Sequence, residues 1–386
     1  MSDNEIESQP LTPSPVPATT TSTNASTKGG ANGGVRLPSR TMIALLAIAL
    51  LGLFVGVNIV LESEMSFACF QAPQPVLPLT DAPVDTNTLT VHDVRFSTKD
   101  DESPAVLAPG MIVDNKHNCT PSVIDPNAID YHSDHRFYKL LQGIGPLPPP
   151  VFRGQHMELC DLSNHKTAKY DFCLPIAGRK DEPYCNAPDR MDLLVRHTPK
   201  TMCYGSALHM LLIDVYDEFK AAKAAPILLY GTLLGAIRNS STIPFTEDSD
   251  VGYVKRTEEE LDDLKLRLWH KGYHMFFQNI WRVCIAPTHP LASNMYDPNH
   301  TGLSEDYLVP YVDLYEMHKH GDTEDWFVDC AKDDRIIPAD KFEPYHQVHM
   351  NGLAFDSVAD PIDFLIAEYG EDYMVPKPRG RRRRRV

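Results

Sequence analysis

The chain has 386 residues, 42% of them hydrophobic, so it is long enough to bury one large core or two modest ones beside appendages. Its formal net charge of −16 excludes a general nucleic-acid binder, which needs a broad basic face to displace phosphate counterions. All 8 cysteines follow the one long apolar segment and none precedes it, a distribution that fits disulfides in an oxidising lumen.

Residues 1–40 are rich in Ser, Thr, Pro, Asn and Gly and read as a disordered tail. From Met42 to Leu61 the chain is almost wholly apolar, and about 20 such residues in a helix match the thickness of a bilayer core. A transmembrane signal-anchor helix over 41–61 is expected. Lys28, Arg36 and Arg40 precede it, while Glu62 and Glu64 follow it, so the positive-inside rule places the N-terminus in the cytosol and the rest in the lumen. This predicts a single-pass type II protein of the Golgi or ER membrane. Three glycosylation tripeptides, at Asn118, Asn239 and Asn299, fall on the luminal side.

Residues 62–150 are rich in Pro, Asp and Thr and read as a luminal stem, closed by Pro148-Pro149-Pro150. A lead-in over 151–203 carries Cys160, Cys173, Cys185 and Cys203. These four allow two disulfides in three pairings, or a zinc site, although the close Cys-x-x-Cys pairs of a typical zinc module are missing. A compact region follows. Leu208, Leu211, Leu212, Val215 and Phe219 recur at helical spacing, and Pro226 marks the end of that helix. Ile227–Tyr230 suits a short strand, broken by Gly231-Thr232, with a short helix over Leu233–Arg238. Strands are expected over Val251–Val254, Tyr273–Phe277, Trp281–Ile285 and Val309–Tyr315. A charged helix over Glu258–Lys271 turns Leu261, Leu264 and Leu268 inward. Alternating helices and short strands predict a mixed α/β domain over 204–378, followed by a basic tail, 379–386. That tail reads as a solvated end or as attraction to acidic glycans or anionic lipid.

The chemistry concentrates in two stretches. A strand that ends in Gly231-Thr232 and opens into a helix lets backbone approach a phosphate, with free N–H groups and a positive dipole end to meet it. Further on, Asp248-Ser249-Asp250 places two carboxylates at i and i+2, on one face of a strand, which suits Mg²⁺ or Mn²⁺. Asp313 is the natural third acid, on a later strand. Arg238 is a candidate to pair with phosphate, or a surface helix arginine. A Gly-Thr turn, paired strand carboxylates and a later third carboxylate resemble the layout of the DNA polymerase β-like nucleotidyltransferases.

The likeness is closer still to one family. Leu229-Tyr-Gly-Thr-Leu-Leu-Gly-Ala-Ile-Arg238, then Ile243-Pro-Phe, Asp248-x-Asp250-Val-Gly252 and Val312-Asp313-Leu314-Tyr315 resemble the signature of LicD-type proteins, fukutin and the fukutin-related protein. Asp363-Phe-Leu-Ile-Ala-Glu-Tyr-Gly-Glu-Asp-Tyr373 with Pro376 is similar to the family's closing element. Bacterial members carry three consecutive aspartates where this chain reads Thr246-Glu247-Asp248, so Thr246→Ala is expected to be tolerated. The resemblance implies a nucleotidyltransferase fold and a metal-dependent phosphotransferase. Its donor would be CDP-activated, its acceptor a glycan or glycoprotein. Asp248, Asp250 and Asp313 would be metal ligands and catalytic acids, and Gly231, Thr232 and Arg238 would hold the donor. Asp313 would hold a second metal or take the proton of the attacking hydroxyl. A type II Golgi glycosyltransferase with an Asp-x-Asp site, and a non-catalytic luminal member of the family, are the alternatives.

Overall fold

A computed structural model describes residues 118–181, 183–300 and 309–376. The described residues all belong to one compact unit. The tail, the apolar span at 41–61, the first part of the stem and the basic tail lie outside the described residues. Among the described residues no helix is long and apolar enough to cross a membrane.

The elements run β1 (Asn118–Cys119), α1 (Arg136–Ile144), β2 (Phe152–Arg153), α2 (Tyr204–Ala221), β3 (Ile227–Leu228), α3 (Tyr230–Asn239), β4 (Asp248–Val254) and α4 (Glu258–Trp269). There follow β5 (Tyr273–Gln278), β6 (Ile280–Ile285), β7 (Tyr311–Lys319), β8 (Trp326–Val328), β9 (His346–Met350), β10 (Leu353–Ser357) and α5 (Pro361–Tyr369), with single helical turns between. The main sheet has the order β3-β4-β7-β6-β5, and β8 pairs with the far end of β7. Within it β4 and β7 run parallel, while the other pairs are antiparallel. The mixed α/β architecture expected from the sequence is the one observed.

Local chemistry explains most boundaries. Helix α4 starts at a capping box, in which Thr257 and Glu260 satisfy each other's backbone N–H, and it buries Leu261, Leu264 and Leu268. Helix α2 buries the expected Leu208, Leu211, Leu212, Val215 and Phe219, but also Ser206, His209, Asp214 and Glu218. It is the central helix of the core rather than an amphipathic surface helix. Its buried acids are partnered, because an unpaired buried charge is costly. Tyr138 and Tyr273 donate their hydroxyls to Asp214, and Lys271 and His132 pair with Glu218.

Two expectations are corrected. The stem does not extend to Pro150: Val123, Phe137, Tyr138 and Leu141 are buried in the same hydrophobic core as the sheet. Phe137, Tyr138 and Leu141 stand at helical spacing on the one face that α1 buries, while Val123 lies in irregular backbone, and a Cys119–Cys160 disulfide clips the segment down. The four lead-in cysteines do not pair among themselves throughout. Cys185 joins Cys203, but Cys160 joins Cys119 and Cys173 joins Cys284 on β6, across 111 residues of sequence. All four thiols are therefore consumed, and a zinc site there is excluded.

Candidate active site

Parallel pairing of β4 with β7 sets Asp250 directly beside Asp313 and Asp248 beside Tyr311. Side chains two residues apart on a strand share a face. Asp248, Asp250 and Asp313 therefore converge, with one oxygen from each lying within 4.8 Å of the others. Asp250 and Asp313 are buried, at 7% and 6% exposure, and Asp248 is half-buried.

Each acid is held by named donors. The Thr232 N–H donates to Asp250 Oδ2 at 3.0 Å, and the Asp250 N–H donates back to Thr232 Oγ1 at 2.6 Å. The Tyr315 hydroxyl is shared between Asp250 Oδ1, at 3.2 Å, and Asp313 Oδ2, at 3.4 Å. Thr246 Oγ1 donates to Asp248 Oδ1 at 2.6 Å, and the Tyr311 hydroxyl reaches Asp248 Oδ2 at 3.2 Å. Arg282, opposite Asp313 on β6, sets its Nε 2.7 Å from Asp313 Oδ1.

Three acids with one adjoining guanidinium leave the site rich in negative charge. Burial, reinforced by Asp248 and Asp313, pushes the Asp250 carboxyl well above the ordinary carboxylate range. Burial likewise raises Asp313 to about 7, against the opposing pull of Arg282 and with Asp248 adding to the rise. Buried carboxylates that resist ionisation together are stabilised by a cation. Hard oxygen donors of this kind fit a divalent ion held by Asp248, Asp250 and Asp313.

The Gly231-Thr232 turn has a different local use from the one the sequence suggests. Helix α3 opens at Tyr230 rather than after Thr232. Tyr230 takes a left-handed φ of 39°, held by its hydroxyl donating to the Asp329 carbonyl at 2.7 Å. A Cβ on Gly231 would lie 3.2 Å from Asp250 Oδ2, so glycine admits this carboxylate to the helix N-terminus. The first turn of α3 thus anchors a candidate metal ligand through Thr232. Arg238 lies six residues on, about 9 Å farther along the helix axis. Its guanidinium donates to the carbonyls of Tyr373 and Val375 rather than to a carboxylate of the cluster, and so ties α3 to the closing segment. That segment does reach the site's field: burial first, then Asp250, Glu368 and Asp248, raise the Tyr369 hydroxyl.

Sequence reasoning missed four residues of the site. Tyr311 and Tyr315 stand at i−2 and i+2 from Asp313, so strand alternation alone puts them on its face, and that signal was readable. Arg282 was not readable, because its place depends on the register of β6 against β7. Thr246 was expected to be expendable, yet its hydroxyl orients Asp248.

Residues 225–357 match the family described as LicD/FKTN/FKRP, nucleotidyltransferase domain. Helix α2 and the closing Asp363–Tyr373 element lie outside that match. The uncharacterized protein RP689 of Rickettsia prowazekii (strain Madrid E) is 27% identical over 78 residues, which cover 20% of this chain and 29% of that protein. A family of nucleotidyltransferase domains is consistent with a transferase-type enzyme. Residues 225–357 are thus the part of the chain that is similar to the LicD/fukutin family.

Proposed function

We propose that this protein is a metal-dependent phosphotransferase that moves a phosphorylated alcohol, of alditol phosphate or phosphocholine type, from a CDP-activated donor to a hydroxyl of a glycan or glycoprotein. The observation that carries the reading is the convergence of Asp248, Asp250 and Asp313 on one face of parallel strands β4 and β7, in a domain of the LicD family. The three acids would hold Mg²⁺ or Mn²⁺. Such an ion supplies charge neutralisation for donor phosphates and for the departing CMP. The chain's own contribution is to fix the acids: Thr232 and Tyr315 hold Asp250, Thr246 and Tyr311 hold Asp248, and Arg282 holds Asp313. Asp313, raised to about 7, is suited to accept a proton near neutral pH if it is not fully engaged as a ligand. The DNA polymerase β-like layout read from the sequence is part of the same proposal.

The setting we propose is the lumen of the Golgi or ER, reached as a single-pass type II membrane protein anchored by residues 41–61. Disulfides Cys119–Cys160, Cys173–Cys284 and Cys185–Cys203 support an oxidising compartment. Protease protection of a C-terminal epitope in sealed microsomes tests the orientation, and digestion without detergent overturns it. Activity is tested on the purified full-length chain with CDP-donors and glycan acceptors, by mass of the acceptor, with and without Mn²⁺. Mass gain equal to the donor's phospho-alcohol, lost in Asp250→Asn, supports the reading. Gain of a sugar from a sugar nucleotide instead identifies a glycosyltransferase.

A further inference from the structure

The residue next to the acid cluster in sequence, Glu247, is paired with a cation delivered from far upstream. Lys180 Nζ lies 3.1 Å from Glu247 Oε1, and Glu247 is the residue immediately before Asp248. The same ammonium sits 4.0 Å over the ring of Tyr204, whose hydroxyl donates to the Glu247 carbonyl at 3.3 Å. Tyr204 lies within the field of both Glu247 and Asp248. Lys180 is about a quarter exposed, at 26% for its side chain, so it faces solvent-accessible space.

Its placement is built into the fold. The Tyr204 N–H donates to the Arg179 carbonyl at 3.0 Å, and the Arg179 N–H donates to the Met202 carbonyl at 2.8 Å. A Cβ at residue 178 would fall 2.8 Å from Tyr204 N, so Gly178 permits the crossing that sets Lys180 over the start of α2. Cys185–Cys203 staples this stretch to the residue just before α2. A second tether, Ser241 Oγ donating to the Asn186 carbonyl at 2.6 Å, joins it to the segment that leads into β4. Disulfide, backbone pairing and ion pair all fix one ammonium against Glu247 and the Tyr204 ring, at the entry to β4.

We infer that Lys180 is a donor-binding residue, contacting the diphosphate of the nucleotide donor beside the cation held by Asp248, Asp250 and Asp313. This rests on the transferase reading above and adds its phosphate contact. The chemical need is plain. The diphosphate of such a donor carries two negative charges, the three acids already draw on the charge of a divalent ion, and Arg282 is already engaged by Asp313 and the Gln278 carbonyl inside the sheet. An ammonium is a compact point charge on a flexible stem, suited to phosphate from the open side of a site. Glu247 holds the stem's end in place until an anion arrives.

The test uses the purified full-length chain, with inorganic pyrophosphate and CDP as probes in Mn²⁺, read by titration calorimetry, and Mn²⁺ alone as the control. Lys180→Gln is expected to weaken both anions by about tenfold or more, the worth of one charge-assisted contact. Mn²⁺ affinity should stay within about twofold, since no cation ligand is touched, and Lys180→Arg should restore most of the anion affinity. Where glutamine impairs folding, Lys180→Met keeps the stem over the Tyr204 ring and replaces it. Unchanged pyrophosphate and CDP affinity in Lys180→Gln would sink the inference and leave the pair with Glu247 as a tether. Parallel loss of Mn²⁺ and anion binding would equally refute it, by showing a structural role. Wild-type protein that binds neither anion in Mn²⁺ defeats the transferase reading itself, a distinct result.

Discussion

Acid should drive a divalent cation out of this site, and the structure sets the scale. Burial raises the Asp313 carboxyl from 3.8 to about 7, with Arg282 opposing and Asp248 adding to the rise. Above about 7 the folded protein carries an ionised group that favours its proton, at a cost of about 4 kcal/mol by linkage. As pH falls through about 7 the folded state takes up that proton, whereas the unfolded chain waits until 3.8. This group alone therefore makes the metal-free protein more stable toward acid, by about 1.4 kcal/mol per pH unit in that window. A bound cation relieves the same charge at alkaline pH, so proton and cation compete, and cation affinity should weaken about tenfold per pH unit below about 7. The assay is the melting temperature in Mn²⁺ minus that in chelator, at about pH 8 and about pH 6. Buried His209, His274 and His289, whose pKa values burial lowers, bend stability the other way with acid, but they are common to both arms and cancel. With Mn²⁺ at about 100 times its alkaline Kd, the cation should add about 2.7 kcal/mol near pH 8 and about 1.4 kcal/mol near pH 6. An Mn²⁺ shift equal at both pH values, or one that persists undiminished in Asp313→Asn, refutes the assignment of these acids to a cation.

Asp248→Asn and Asp250→Asn should each cut donor turnover by about a hundredfold or more while the domain stays folded; near-normal, Mn²⁺-dependent turnover in both would reduce the family likeness to a statement about fold. Thr232→Val removes the hydroxyl that accepts from the buried Asp250 N–H, and should cost about 1–3 kcal/mol in urea unfolding as well as lowering turnover. Unchanged stability would mean that this pairing is replaced by another. Thr246→Ala should lower turnover through a loosened Asp248 while leaving stability within about 0.5 kcal/mol, the range of an ordinary surface change. Wild-type turnover would restore the expectation that the position is expendable. Cys173→Ser with Cys284→Ser opens a closure of 111 residues and should cost about 2–5 kcal/mol; a loss below about 1 kcal/mol would show that the strands alone hold that segment.

Local pattern carried much of this protein. Strand alternation placed Asp248 and Asp250 on one face, helical periodicity found the buried leucines of α2 and α4, and the motif from Leu229 to Arg238 marked the turn before the acids. These features have periods of two to four residues, so a linear reading reaches them. The apolar span and the charge flanks likewise led to a membrane topology that rests on sequence alone. Other features were decided only when distant segments met. Register of β6 against β7 brought Arg282 to Asp313, and close packing turned Gly231 and Thr232 toward Asp250. Cys160 and Cys173 found partners at Cys119 and Cys284 instead of each other, because disulfides form between sulfurs that the fold makes adjacent. Residues 118–150 joined the core through the buried face of α1, a few side chains in irregular backbone and one disulfide, a docking that the short period of α1 alone does not specify. Lys180 reached Glu247 across 67 positions by a backbone crossing at Gly178 that no local propensity encodes. Propensity and period act over a few residues, whereas charge pairing, strand register and disulfide geometry are settled by proximity in three dimensions.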